Sequence, residues 1–124
     1  MKIGRLIGNL DELELVVDWG YDYAEIVPSL LGGDETDSVE EQTALKRIHT
    51  SPVPVASMCG FLPDPRRSGL MVVGPEVDRA RLRAYTTRVF DRMQRASIGV
   101  IGYGSGESRF VPEGFPRERA LEQV

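Results

Sequence analysis

The chain reads as an α/β protein built from four βα units with parallel strands. Three observations predict this. Short runs rich in β-branched and aliphatic residues alternate with longer stretches whose apolar residues recur at helical spacing. Helix-start signals follow the first and second apolar runs: Asn9 with Glu12 and Ser38 with Glu41 both have capping-box spacing. Glycines and prolines punctuate the joins. Strands alternating with helices imply parallel pairing, right-handed crossovers and helices covering the sheet.

Residues 2–8 form the first expected strand, with Ile3, Leu6 and Ile7 apolar. Asn9 caps a helix on which Leu10, Leu13, Val16 and Val17 share a face, and Gly20 stops it. Residues 21–27 make the second strand, ended by Pro28. Residues 32–37 are a polar loop. Ser38 caps a helix to about Ile48, with Val39, Leu45 and Ile48 as its expected buried face. The third strand spans 53–58, with Pro52 and Pro54 at its start, where a missing N–H costs least. Residues 59–75 form a long loop, a feature that usually carries function. Asp78 caps a helix to about Ala96, whose apolar face is Leu82, Tyr85, Val89, Met93 and Ala96. Residues 98–102 are the fourth strand, and Pro116 suits the first position of a last helix.

Composition bounds the function classes. The 124 residues suggest one domain, 1–124, with 41% apolar and 27% charged residues. A net charge of −4 and a pI near 5.0 argue against a nucleic-acid partner. No run of 18 apolar residues is present, so no membrane span is expected, and the N-terminus lacks the pattern of a signal peptide. Cys59 is the single cysteine and has no internal disulfide partner, which fits a cytoplasmic protein.

The richest stretch is 98–115, where a strand runs into Gly102, Gly104, Ser105 and Gly106, then Arg109, then Pro112, Glu113, Gly114 and Phe115. Glycines admit a ligand close to the backbone, and an arginine grips a phosphate or carboxylate through paired hydrogen bonds. In the alternative, the glycines make a tight turn and Arg109 pairs with Glu107 or Glu113. Pro112, Gly114 and Phe115 read as structural.

Three pieces together resemble the sugar phosphate isomerase/epimerase family. They are the run Tyr21, Asp22, Tyr23, Ala24, Glu25, Ile26; the run Phe61, Leu62, Pro63 with Val73, Gly74, Pro75, Glu76, Val77, Asp78; and the 104–115 stretch. The resemblance implies a xylose isomerase-like TIM (β/α)8 barrel, of which this chain matches the N-terminal half. Such barrels have eight units and typically about 250 residues. In the family a divalent metal such as Mn²⁺ or Mg²⁺ is held by two Glu, an Asp and a His from later strands, and it polarises the sugar carbonyl while carboxylates move a proton at the adjacent carbon. No metal ligand carries over to this chain, so no cofactor is expected in it and catalysis alone is not expected. Substrate contacts are expected from Glu25, Gly104, Ser105, Gly106 and Arg109, with a sugar or sugar phosphate as ligand. Glu25 could equally be satisfied by a neighbouring loop or arginine.

Half a barrel has two open edges and an uncovered interior face, so self-association is expected, as a homodimer or with a complementary C-terminal half. The competing readings are a truncated or split isomerase, a non-catalytic ligand-binding or structural half-barrel homodimer, and a piece of a longer chain. Other residues invite blander readings. Cys59 is expected as a buried small hydrophobe, because His49 lies at the opposite end of the third strand. His49 suits a helix C-terminus. The arginines at 79, 81, 83, 88, 92 and 95 are expected to form a solvated outer face, and Trp19 to pack.

Overall fold

A computed structural model describes residues 1–32 and 38–124. Most of the expected polar loop at 32–37 therefore lies outside the described residues. The strands are β1 (Gly4–Leu6), β2 (Tyr23–Ile26), β3 (Val55–Met58) and β4 (Val100–Ile101). They form one parallel sheet in the order β1-β2-β3-β4. The helices are α1 (Leu13–Asp18), α2 (Val39–His49), α3 (Pro65–Ser68), α4 (Arg79–Arg95) and α5 (Arg117–Gln123). Single 3-10 turns occupy Leu10–Glu12, Pro28–Leu31 and Glu107–Arg109.

The strands are shorter than their apolar runs, and at the start of β2 a competing hydrogen bond is the reason. The Tyr21 N–H donates to the Val16 carbonyl at the end of α1, so it closes the helix instead of starting β2. Gly20 reaches its φ of +78° between them, a conformation that favours glycine. Segment 59–75 is not a bare loop. Asp64 caps α3, accepting from the Arg66 N–H at 2.9 Å, and Gly69 ends it in the left-handed region. The polar start signals work, but not as reciprocal boxes. Ser38 Oγ accepts from the Glu41 N–H at 3.1 Å, while the Glu41 carboxylate turns to arginines. Asn9 accepts from Asp11, and Glu12 accepts from the Asn9 side chain and the Gly8 N–H.

Strand order equal to chain order has a consequence for the faces. Right-handed crossovers stepping in one direction deliver their helices to one side of the sheet. That side holds Ala24, Ile26, Val55 and Met58, buried with Val16, Leu45, Ile48, Val89 and Met93 in a single core. A bulge helps. The β2–β3 register passes from Ala24 opposite Val55 to Glu25 opposite Ser57, so Ala56 is extra. Val55 and Met58 thereby both reach the core, and Ser57 lies beside Glu25 on the other face. That face carries Leu6, Tyr23, Glu25, Ser57 and Val100 by register and alternation. It is open, with Leu6 50% and Val100 62% exposed.

Two helix faces depart from the sequence reading. Val39 is 80% exposed, and the buried positions of α2 are Glu41, Ala44, Leu45 and Ile48. On α4, Arg92 is only 5% exposed, so the arginines are not one solvated face. Glu41 is fully buried: its Oε2 meets Arg92 Nε at 3.1 Å and its Oε1 accepts from Arg95 Nη1 at 2.7 Å. Arg92 Nη1 also donates to the Gly32 carbonyl at 3.2 Å. This cluster ties α2 to α4.

Candidate functional site

At the C-terminal ends of β2 and β3, three polar side chains meet on or beside the open face. Ser57 Oγ donates to Glu25 Oε1 at 2.8 Å. Cys59, two residues beyond Ser57, also faces the Glu25 carboxylate. Burial pushes its thiol up from the ordinary 9.0, and the charge of Glu25 and a hydrogen bond to it push the same way. The thiol therefore stays protonated at neutral pH. Cys59 is half-buried beside a charge, which corrects its reading as a buried hydrophobe. It is also not an activated nucleophile, since a thiolate needs a lowered pKa. His49 sits at the far end of the sheet, its Nε2 3.0 Å from the Arg95 carbonyl, and is no partner for Cys59.

The glycine-rich loop after β4 is locked to the loop after β3. Ser105 Oγ accepts from the Leu62 N–H at 2.8 Å. Arg109 Nη2 donates to the Gly104 carbonyl at 2.8 Å, and its guanidinium lies 5.7 Å above the Tyr103 ring centre. Arg109 pairs with neither acidic candidate, and Glu107 faces Arg66 instead, at 3.4 Å. The Phe61 ring packs between Tyr85 and Tyr103, with ring centres 5.9 and 5.4 Å away, and Tyr85 Oη donates to the Phe61 carbonyl at 2.7 Å. The loop is thus a brace made by its own residues. Gly104 and Gly106 face open space: a Cβ at either would meet nothing within 4 Å. Neither has a positive φ, so their smallness leaves room beside the backbone without relieving strain. Pro112, Gly114 and Phe115 form the expected turn, with the Phe115 N–H donating to the Pro112 carbonyl at 3.0 Å.

The five sequence-derived residues thus fall into two groups. Glu25 belongs with Ser57 and Cys59, while Gly104, Ser105, Gly106 and Arg109 make up the brace. No hydrogen bond or ion pair among the described residues joins the two groups. Ser57 was missed as a partner of Glu25. Its place one residue before the end of the third apolar run was a signal, but the bulge that aims it at Glu25 was invisible. Trp19 is partly exposed and carries Arg5 at 5.4 Å over its ring, so it covers a charged side chain at the β1 edge.

A hard divalent cation takes oxygen ligands, with carboxylates prominent among them. Glu25, Ser57 and Cys59 offer one carboxylate, one hydroxyl and a protonated thiol. Among the described residues, no group of three or more His, Cys, Asp or Glu side chains is placed to share an ion. These residues do not fit the metal implied by the resemblance. Also among the described residues, no helix is long and apolar enough to cross a membrane. Searches against family models, curated proteins and solved structures gave no match to this chain.

Proposed function

We propose that the chain is one half of a TIM (β/α)8 barrel of the sugar phosphate isomerase/epimerase kind, contributing substrate contacts without turning substrate over alone. The observation that carries this reading is the Glu25–Ser57 pair at the C-terminal ends of strands whose order follows the chain. Barrel active sites lie at that end. Glu25 has one carboxylate oxygen committed to Ser57 at 2.8 Å, and a carboxylate accepts several further hydrogen bonds. A sugar hydroxyl is a donor that suits it. The room beside Gly104 and Gly106 supports a polar ligand reaching the same rim. The residues that hold a metal and move a proton would come from other βα units.

Calorimetry with a panel of ketoses and their epimers tests this. Weak binding is expected, reduced about tenfold by Glu25→Gln, the loss of one hydrogen bond to a charged group. Isomerase turnover by the lone chain with Mn²⁺ would contradict the reading, as would ketose binding indifferent to Glu25.

A second reading is a non-catalytic half-barrel homodimer. The exposure of Leu6 and Val100, on the two edge strands and on the same face, favours it. It differs from the first in retaining no sugar preference, so the same titration separates them.

A further inference from the structure

We infer that Tyr23 is a second ligand contact of the Glu25 site, an aromatic platform on which a sugar stacks through its C–H face. The inference rests on the sugar reading of Glu25. It adds the form in which the sugar is held, a closed ring rather than an open chain.

Tyr23 and Glu25 stand two residues apart on β2, on the same open face, with roughly 7 Å between their Cα atoms. Gly4 is the register partner of Tyr23 on β1. A Cβ at Gly4 would overlap Cδ2, Cε2 and Cζ of the Tyr23 ring. These contacts put that Cβ over the face of the ring and not beyond its edge. The ring therefore lies flat against β1 and turns its other face to the open side of the sheet. Gly4 has no positive φ, so its backbone does not require a glycine. A glycine inside a strand weakens it and often marks a close approach, and here the approaching group is the Tyr23 ring.

An aromatic face is electron-rich. The C–H bonds on one side of a pyranose complement it, and the hydroxyls at the rim of the sugar then reach the Glu25 carboxylate, which Ser57 holds at 2.8 Å. Leu6, opposite Glu25 in register and half exposed, adds aliphatic surface beside them. An apolar lining with a few placed polar groups is the usual make-up of a ligand site. A quaternary ammonium fits less well, because it calls for a cage of rings. Among the described residues, Tyr23 is the one aromatic side chain that the four strands place on this face. Gly4 has no side chain and Tyr23 lies against the wall, so this level of the sheet keeps room for a ligand even when a second copy faces it.

Calorimetry and proton NMR with methyl β-fructopyranoside, whose ring is locked, and with glucitol, an open-chain counterpart, test this. The pyranoside should bind more tightly, and its ring C–H protons should move upfield in the complex, as stacking on an aromatic face requires. Tyr23→Phe should keep both the affinity and the shift. Tyr23→Leu should weaken binding about fivefold and abolish the shift, and Gly4→Ala should do the same by displacing the ring. Melting curves will show whether the variants keep the fold, and the upfield shift with the wild-type chain needs no variant. A locked ring that binds no better than glucitol, a complex without the upfield shift, or affinity lost in Glu25→Gln but kept in Tyr23→Leu would overturn the inference and leave the sugar reading standing. Absence of binding by the pyranoside, glucitol and free ketoses alike would overturn both. Tighter binding of tetramethylammonium than of the pyranoside would assign the ring to a cation and also overturn the inference.

Discussion

Glu25 accepts a hydrogen bond from Ser57, and the Cys59 thiol, whose proton the Glu25 charge helps to hold, reports on the carboxylate. A raised thiol pKa has a definite sign. Below the ordinary 9.0 both folded and unfolded chains hold the proton, and the contribution is fully present; as pH rises through the folded value, it is lost. Alkylation of Cys59 by iodoacetamide should therefore show a midpoint above 9.0. Glu25→Gln should bring the midpoint down part of the way, because burial, the largest cause, remains. A midpoint at or below the ordinary value would contradict the arrangement. Glu25 itself was legible in the sequence, as the acidic residue near the end of an apolar run. Its partners were not, because they depend on a one-residue bulge in β3. Arg109 has a local partner that its type and position did not reveal. Its guanidinium donates to the carbonyl of Gly104, five residues back.

At the scale of elements, capping residues located the helix starts well. Asn9, Ser38 and Asp78 each accept a backbone N–H from the first turn. What local pattern could not show was long-range charge. Glu41 has the spacing of a capping-box residue, yet its carboxylate is buried against Arg92 and Arg95, more than fifty residues away. An acidic residue on the core side of α2 and a basic one on the core side of α4 break the apolar pattern in compensating places. Truncating one partner of a buried ion cluster costs about 3–5 kcal/mol, since the opposite charge loses its counterpart inside the protein. Glu41→Ala should therefore lower the stability measured by urea denaturation by about that amount. A loss under about 1 kcal/mol, the range of exposed pairs, would contradict a structural role for the cluster. The short α3 was missed for a different reason. Its four residues include Pro65 and two arginines, and they carry no apolar period to read.

At the scale of the whole molecule, the described residues form one four-stranded parallel sheet with two edge strands. Its strands follow chain order, its helices cover one face, and its other face presents Leu6, Tyr23, Glu25, Ser57 and Val100. Apolar side chains also stand exposed beside both edges, Ile3 near β1 and Tyr103 beyond β4. The α/β class and the parallel alternation were legible from periodicity and punctuation alone. What covers the edge strands was not legible, because the partner of an edge strand leaves no mark in local pattern. A twofold arrangement of two copies would set β4 of each against β1 of the other and form eight strands, enough for a barrel filled by its own side chains. The central claim is that this sheet is half of such a barrel, and that a second copy supplies the other half when the chain is alone. Light scattering at micromolar concentration tests it most directly. The account predicts a mass of two chains of 13.8 kDa each, falling to one chain when Leu6→Lys and Val100→Lys are combined. A wild-type chain that stays monomeric at that concentration would contradict it.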